Sequence, residues 1–165
     1  MNIALVQTNP VVGDFARNLH RVLDRVDTAR QAGCDLVVFP ELTLCGYPPQ
    51  DLLERTAFLD AHDRALAELI HCLEGITCIV GVLERRTGPG KPLYNSAFVL
   101  EQDRILFRAR KQLLPSYDVF DETRYFQPGE TSTIFPLAGL HCGLCVCEDI
   151  WWSRQTYPTN PLKDL

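Results

Sequence analysis

Three short apolar runs, at residues 3–7, 36–39 and 76–83, are separated by two long stretches of helical spacing. That alternation most constrains the fold. Between the first two runs, Leu19, Val22, Leu23, Val26 and Ala29 recur at intervals of three and four within residues 16–31, with Arg and Asp on the opposite face. Between the second and third, Phe58, Ala61, Ala65, Leu66, Leu69, Ile70 and Leu73 mark one apolar face of residues 57–73. Asp14 is placed as an N-cap of the first helix and Gly33 as its stop. Short apolar runs bounded by Asn, Pro and Gly read as buried strands. A strand–helix–strand order brings successive strands side by side with their helices on one face.

The second half changes character. Residues 94–100 and 105–109 read as two strands around a tight turn at Gln102-Asp103, and residues 131–135 and 141–146 add two more. The expected class is α/β with an α+β departure, in one domain without a repeat or a linker. Residues 153–165 contain two prolines and show no strand alternation or helical stripe, so an irregular, loosely ordered tail is expected.

Charge narrows the partners. A formal net charge of -5 and a pI near 5.3, with only short interrupted basic pieces, give no footprint for nucleic acid. No apolar run approaches the ~18 residues that suggest a membrane span. The first residues, Met1-Asn2-Ile3-Ala4-Leu5-Val6, lack the pattern of a secretory signal, so a cytoplasmic protein is expected. In that compartment the seven cysteines are expected to be thiols.

Three polar residues directly follow apolar strands: Glu41, Lys111 and Cys147. In open α/β sheets, functional groups gather at the carboxyl ends of strands. A cysteine nucleophile needs a base for its proton and a positive group for the thiolate and the oxyanion. Glu41 can serve as base and later acid, and Lys111 can supply the charge. Taken singly, each has a plainer explanation: a loop carboxylate, an exposed strand end, a small buried hydrophobe. Cys142, Cys145 and Cys147 beside His141 also admit a zinc site, but the second ligand pair such sites need is missing, and strand alternation turns Cys142 away from the other two. His20, His62 and His71 fall on the helices and have no cysteine-protease motif around them.

The surroundings of these three residues are more specific. The run Pro40-Glu41-Leu42-Thr43-Leu44-Cys45-Gly46-Tyr47-Pro48-Pro49-Gln50-Asp51-Leu52-Leu53 resembles the glutamate motif of the nitrilase superfamily of carbon–nitrogen hydrolases. More narrowly, it resembles the N-terminal glutaminase domain of glutamine-dependent NAD synthetases. Arg110-Lys111-Gln112-Leu113-Leu114-Pro115-Ser116-Tyr117-Asp118-Val119-Phe120-Asp121-Glu122, running on into Arg124-Tyr125-Phe126, resembles the lysine motif. Gly143-Leu144-Cys145-Val146-Cys147-Glu148-Asp149-Ile150-Trp151 resembles the nucleophile motif. All three stand in family order.

The resemblance implies a nitrilase-type αββα sandwich, of which residues 1–152 would form the N-terminal part. It implies that Cys147 attacks a glutamine side-chain amide to form a thioester, with Glu41 as base and Lys111 at the oxyanion. Glu122 matches the position of a second glutamate near the lysine. Tyr117 and Glu148 match substrate-recognition positions, where Glu148 would face the substrate ammonium group. No cofactor is implied for this chain; ATP and magnesium would belong to a synthetase domain, whose Ser-Gly-Gly phosphate loop is absent from these residues. A homo-oligomer is also implied. The family's domain is longer than 165 residues, so a truncated glutaminase with apolar sheet surface left uncovered is expected. The readings carried forward are a glutamine amidase module working with an NAD synthetase domain, an amidase for another small amide, and an inactive remnant.

Overall fold

The structure is a computed structural model that describes residues 1–165 apart from the side chain of Asp164. Its central sheet has five strands: β1 (Ile3–Leu5), β2 (Leu36–Val38), β3 (Thr77–Arg85), β4 (Leu93–Glu101) and β5 (Arg104–Arg110). Their spatial order is β1-β2-β3-β4-β5. The first three are parallel, because β2 and β3 are each reached through a helix. The last two run antiparallel, with residues 86–92 joining β3 to β4 and a two-residue turn joining β4 to β5. At the turn between β4 and β5, Gln102 and Asp103 both take positive φ, 44° and 62°, the geometry that lets a two-residue loop follow the twist of the strands.

Helices α1 (Phe15–Gln31) and α2 (Thr56–Cys72) cover one face of the sheet. The Asp14 side chain accepts from Arg17 N and caps α1, and Gly33 leaves it with φ of 71°, both as the sequence predicts. Strand alternation separates two cores. Val37, Cys78, Val80, Val82, Phe98 and Leu100 pack against the helices. Leu36, Ile79, Ala97 and Val99 face the opposite side, where they meet Phe135 and Val146. Strand β6 (Thr133–Leu137) and strand β7 (Leu140–Leu144) form a separate antiparallel pair over that second face. The layers are therefore helix, sheet and a narrow second sheet.

One expectation needs correction. The first strand reads as buried, yet Ile3 is 47% exposed and Leu5 78% exposed. The register explains it. Ile3 and Leu5 stand opposite Leu36 and Val38, on the face that the β6–β7 pair covers, and β1 is the edge strand beyond the reach of that pair.

Residues 153–165 contain a 3₁₀ turn at Pro161–Asp164. Trp152 Nε1 donates to Tyr157 O at 3.2 Å, and Ser132 Oγ donates to Pro161 O at 2.6 Å, tying the segment to the body of the protein.

Candidate active site

Three strand ends converge on one cleft. At the first, β2 gives way to Phe39, whose N–H still bonds Ile79 O, and Pro40 then ends the ladder because it has no N–H to offer. The chain turns sharply, with Leu42 at φ 47°, and this sets Glu41 at the lip of the cleft. The turn lies directly on β3 at Gly81. A Cβ there would stand 2.3 Å from Leu42 N and 2.6 Å from Pro40 O, so only glycine permits the approach.

At the second strand end, Lys111 N donates to Asn95 O at 2.8 Å and Lys111 O accepts from Gly129 N at 2.8 Å, which fixes the backbone just beyond β5. The Lys111 side chain turns inward and is 1% exposed. At the third, Cys147 follows β7 and the buried Val146. It has φ of 45°, a left-handed conformation that is strained for a residue with a side chain, and it opens the 3₁₀ turn Cys147–Trp151.

The charged groups form one network. Lys111 Nζ donates to Glu41 Oε1 at 2.7 Å and to Glu122 Oε1 at 2.8 Å. Glu122 lies on the short helix α3 (Glu122–Tyr125) and is buried. Tyr47 Oη donates to Glu122 Oε1 at 2.9 Å. Burial works against the Lys111 ammonium, but the charges of Glu41 and Glu122 outweigh it and hold the group above its ordinary range. Two carboxylates share that single cation, so burial and the charge of Glu41 raise Glu122. Glu41 and Cys147 line the same cleft, with Gly81 and Ala97 on its floor. Partial enclosure and the adjacent Glu41 carboxylate push the Cys147 thiol up to about 11, against the pull of Lys111. Cys147 therefore rests as a thiol, and would need a base to act as a nucleophile.

The other two predicted residues meet beside Cys147. Tyr117 Oη lies 3.0 Å and 2.9 Å from the two carboxylate oxygens of Glu148. Glu148 is buried, follows Cys147 directly, and also accepts from Tyr157 Oη at 2.8 Å. All six residues named from the sequence thus fall in two adjoining clusters. Among the described residues no group of three His, Cys, Asp or Glu side chains is arranged to hold a metal ion. His62, the buried helical histidine, accepts from Leu83 N at 3.1 Å and serves the core.

The sequence reading missed several contributors. Asp149 Oδ1 accepts from Gln112 N and Leu113 N at 3.0 Å and 2.9 Å, and its Oδ2 accepts from Val146 N at 3.0 Å. One buried carboxylate therefore clamps the lysine segment to the nucleophile segment. Tyr47 and Asp149 both lie within the quoted motifs, and an acid two residues beyond the nucleophile was a usable signal. Asn95 was visible, with Ser96, as a polar pair ahead of the apolar run at residues 97–100. Tyr157 had no signal, since its place depends on how the tail folds back.

A layered α/β sheet with a lysine, a glutamate and a cysteine at its strand ends, and a second glutamate on an adjoining short helix, has the architecture of a nitrilase-type hydrolase. The chain belongs to the carbon–nitrogen hydrolase family, whose model matches residues 2–163. It is 39% identical to a glutamine-dependent NAD(+) synthetase of Synechocystis sp. over 99% of this chain, and 39% identical to that of Thermotoga maritima over 92% of it. The chain spans 31% and 26% of the lengths of those two relatives. Among solved structures, the glutamine-dependent NAD+ synthetase of Acinetobacter baumannii superimposes with a TM-score of 0.85 at 35% identity, covering 90% of this chain and 28% of its own. A variant of an amidase from Nesterenkonia sp. AN1 gives a TM-score of 0.81 at 25% identity, covering 92% of this chain and 57% of its own.

Proposed function

We propose that the chain is a glutamine amidohydrolase unit that releases ammonia from the glutamine side chain through a thioester on Cys147. The observation that carries this is the Glu41–Lys111–Glu122 network beside the Cys147 thiol. The choice of glutamine follows the NAD synthetase relatives, together with the Tyr117–Glu148 pair, an acceptor suited to an amino acid's ammonium group.

Cys147 Sγ attacks the amide carbon while Glu41 takes the thiol proton. Charge developing on the carbonyl oxygen is met by the Lys111 ammonium and by the backbone N–H of Glu148. Collapse of this intermediate breaks the C–N bond, and Glu41 returns the proton to the departing nitrogen, giving ammonia and a thioester. Glu41 then deprotonates a water that attacks the thioester, and glutamate leaves as the thiol reforms. Glu122 anchors Lys111 throughout. The ammonia would feed an NAD synthetase domain, which would hold its own ATP and magnesium. A cytoplasmic homo-oligomer is the setting we propose.

Glutamate release from glutamine by the folded chain, abolished in Cys147→Ala, tests the proposal. Folded protein that releases none sinks it. The likeness to the Nesterenkonia amidase, described with a covalent adduct at its active-site cysteine, favours a second reading in which another small amide is the substrate. A substrate panel in which such an amide outcompetes glutamine would establish that alternative.

A further inference from the structure

We propose that Asn95 is a positioning residue for Glu41, its side-chain amide fixing the carboxylate that faces Cys147. This rests on the assignment of Glu41 as the base. Asn95 lies on β4, is 0% exposed, and donates from Nδ2 to Glu41 Oε1 at 2.5 Å and, at a longer 3.4 Å, to Glu122 Oε2. Its backbone carbonyl holds Lys111 N at 2.8 Å. One residue therefore touches both carboxylates and the backbone of the lysine between them.

The remaining side-chain atom argues that this arrangement is not a packing accident. Asn95 Oδ1 is buried and has no protein hydrogen-bond partner. A buried amide with an unpaired oxygen is unfavourable, and an apolar residue of similar size would avoid it. What an apolar residue cannot do is donate to Glu41. Lys111 alone leaves that carboxylate free to pivot about a single flexible contact to Oε1. The Asn95 amide reaches the same oxygen from the rigid sheet, between β3 and β5, and so fixes the rotamer. The titratable groups around Glu41 are Lys111, Glu122, Cys147, Cys45 and Tyr47, and among these only Lys111 is a cation. Loss of the amide donor therefore leaves the Glu41 carboxylate held at Oε1 by Lys111 alone.

The test reads Cys147 directly and does not require the substrate to be known. The full chain is alkylated with iodoacetamide across a pH series. Modification of the Cys147 peptide is followed by mass spectrometry, with exposed Cys72 as the internal reference. Asn95→Ala is expected to slow Cys147 modification about tenfold at neutral pH, and to change the shape of its pH profile, while Cys72 is unchanged. The isosteric Asn95→Asp, which loses the donor when ionised and adds a carboxylate, should show a larger loss of rate. Asn95→Ser, which keeps a donor, should recover part of the rate. Profiles of folded Ala or Asp variants that superimpose on the parent overturn the proposal.

If those variants do not fold, a chain with Asn95 intact still decides the matter. The Asn95 side-chain amide resonances should move in Glu41→Gln, which replaces the acceptor oxygen's charge, and resonances indifferent to that substitution overturn the proposal. A chain that alkylates as expected but releases no glutamate from glutamine would retain the role of Asn95 and refute the substrate instead.

Discussion

Asp149 shows how much a single side chain can hold. Its three backbone N–H partners, at Gln112, Leu113 and Val146, come from two segments far apart in the chain. In Asp149→Ala those donors would be left buried and unpaired, at a cost of about 3 kcal/mol or more, given about 1–3 kcal/mol for each. Urea denaturation should register the loss, and Cys147 reactivity should fall with it. Lys111 makes a second case. In Lys111→Met the cation between Glu41 and Glu122 is gone, and stripping one partner from a buried ion pair costs about 3–5 kcal/mol. The sign with pH follows from Glu122, which burial and Glu41 already raise and which climbs further without Lys111. The stability gap to the parent should therefore be widest at neutral pH and narrow as Glu122 takes up its proton on acidification, a trend that melting curves at several pH values will record.

At the scale of elements, the site depends on strands passing close to turns. Gly81 on β3 supports the turn that carries Glu41, and the neighbours a Cβ would strike are backbone atoms of residues 40–42. Those atoms cannot rotate away as a side chain could. Gly81→Ala should therefore cost about 1–3 kcal/mol in stability and displace Glu41, lowering the amidase rate more than the thermal midpoint implies. Steady-state kinetics alongside calorimetry would separate the two effects. The strands and helices were legible before the structure because each has its own period. The alternation within β3, for instance, sends Cys78, Val80 and Val82 to the helices and Ile79 to the second sheet. The exposure of β1 was not legible. Ile3 and Leu5 are as apolar as Leu36 and Val38 beside them, and only the extent of the β6–β7 layer distinguishes the two pairs.

Across the whole molecule, the buried thiols and Tyr47 give the fold an alkaline limit. Burial pushes Cys45 up to about 12, raises Cys78 further, and, with Glu122, raises Tyr47. In the unfolded chain these groups ionise near their ordinary values, about 8.5 for cysteine and 10 for tyrosine. Between those values and the raised ones, the folded state binds more protons than the unfolded state, so stability falls as pH rises. It should be intact at neutral pH and decline from about pH 9 upward, by as much as about 1.4 kcal/mol per pH unit for each fully buried thiol. Melting temperatures measured from neutral to alkaline pH will check this, and a flat profile would contradict it.

The sequence by itself determined the local features. Helical spacing, strand runs and the turn at Gln102-Asp103 are set by side-chain periodicity and backbone preference within short windows. The motifs around Glu41, Lys111 and Cys147 carried the family, because their residues are contiguous. Only the tertiary structure decided which side chains meet across the sheet. Asn95 between two carboxylates, Asp149 joining two loops, Tyr157 on Glu148, and the open edge at β1 all depend on register and layering. A hydrogen bond is formed by distance and direction, and one chain fixes these for residues dozens of positions apart only when it closes on itself.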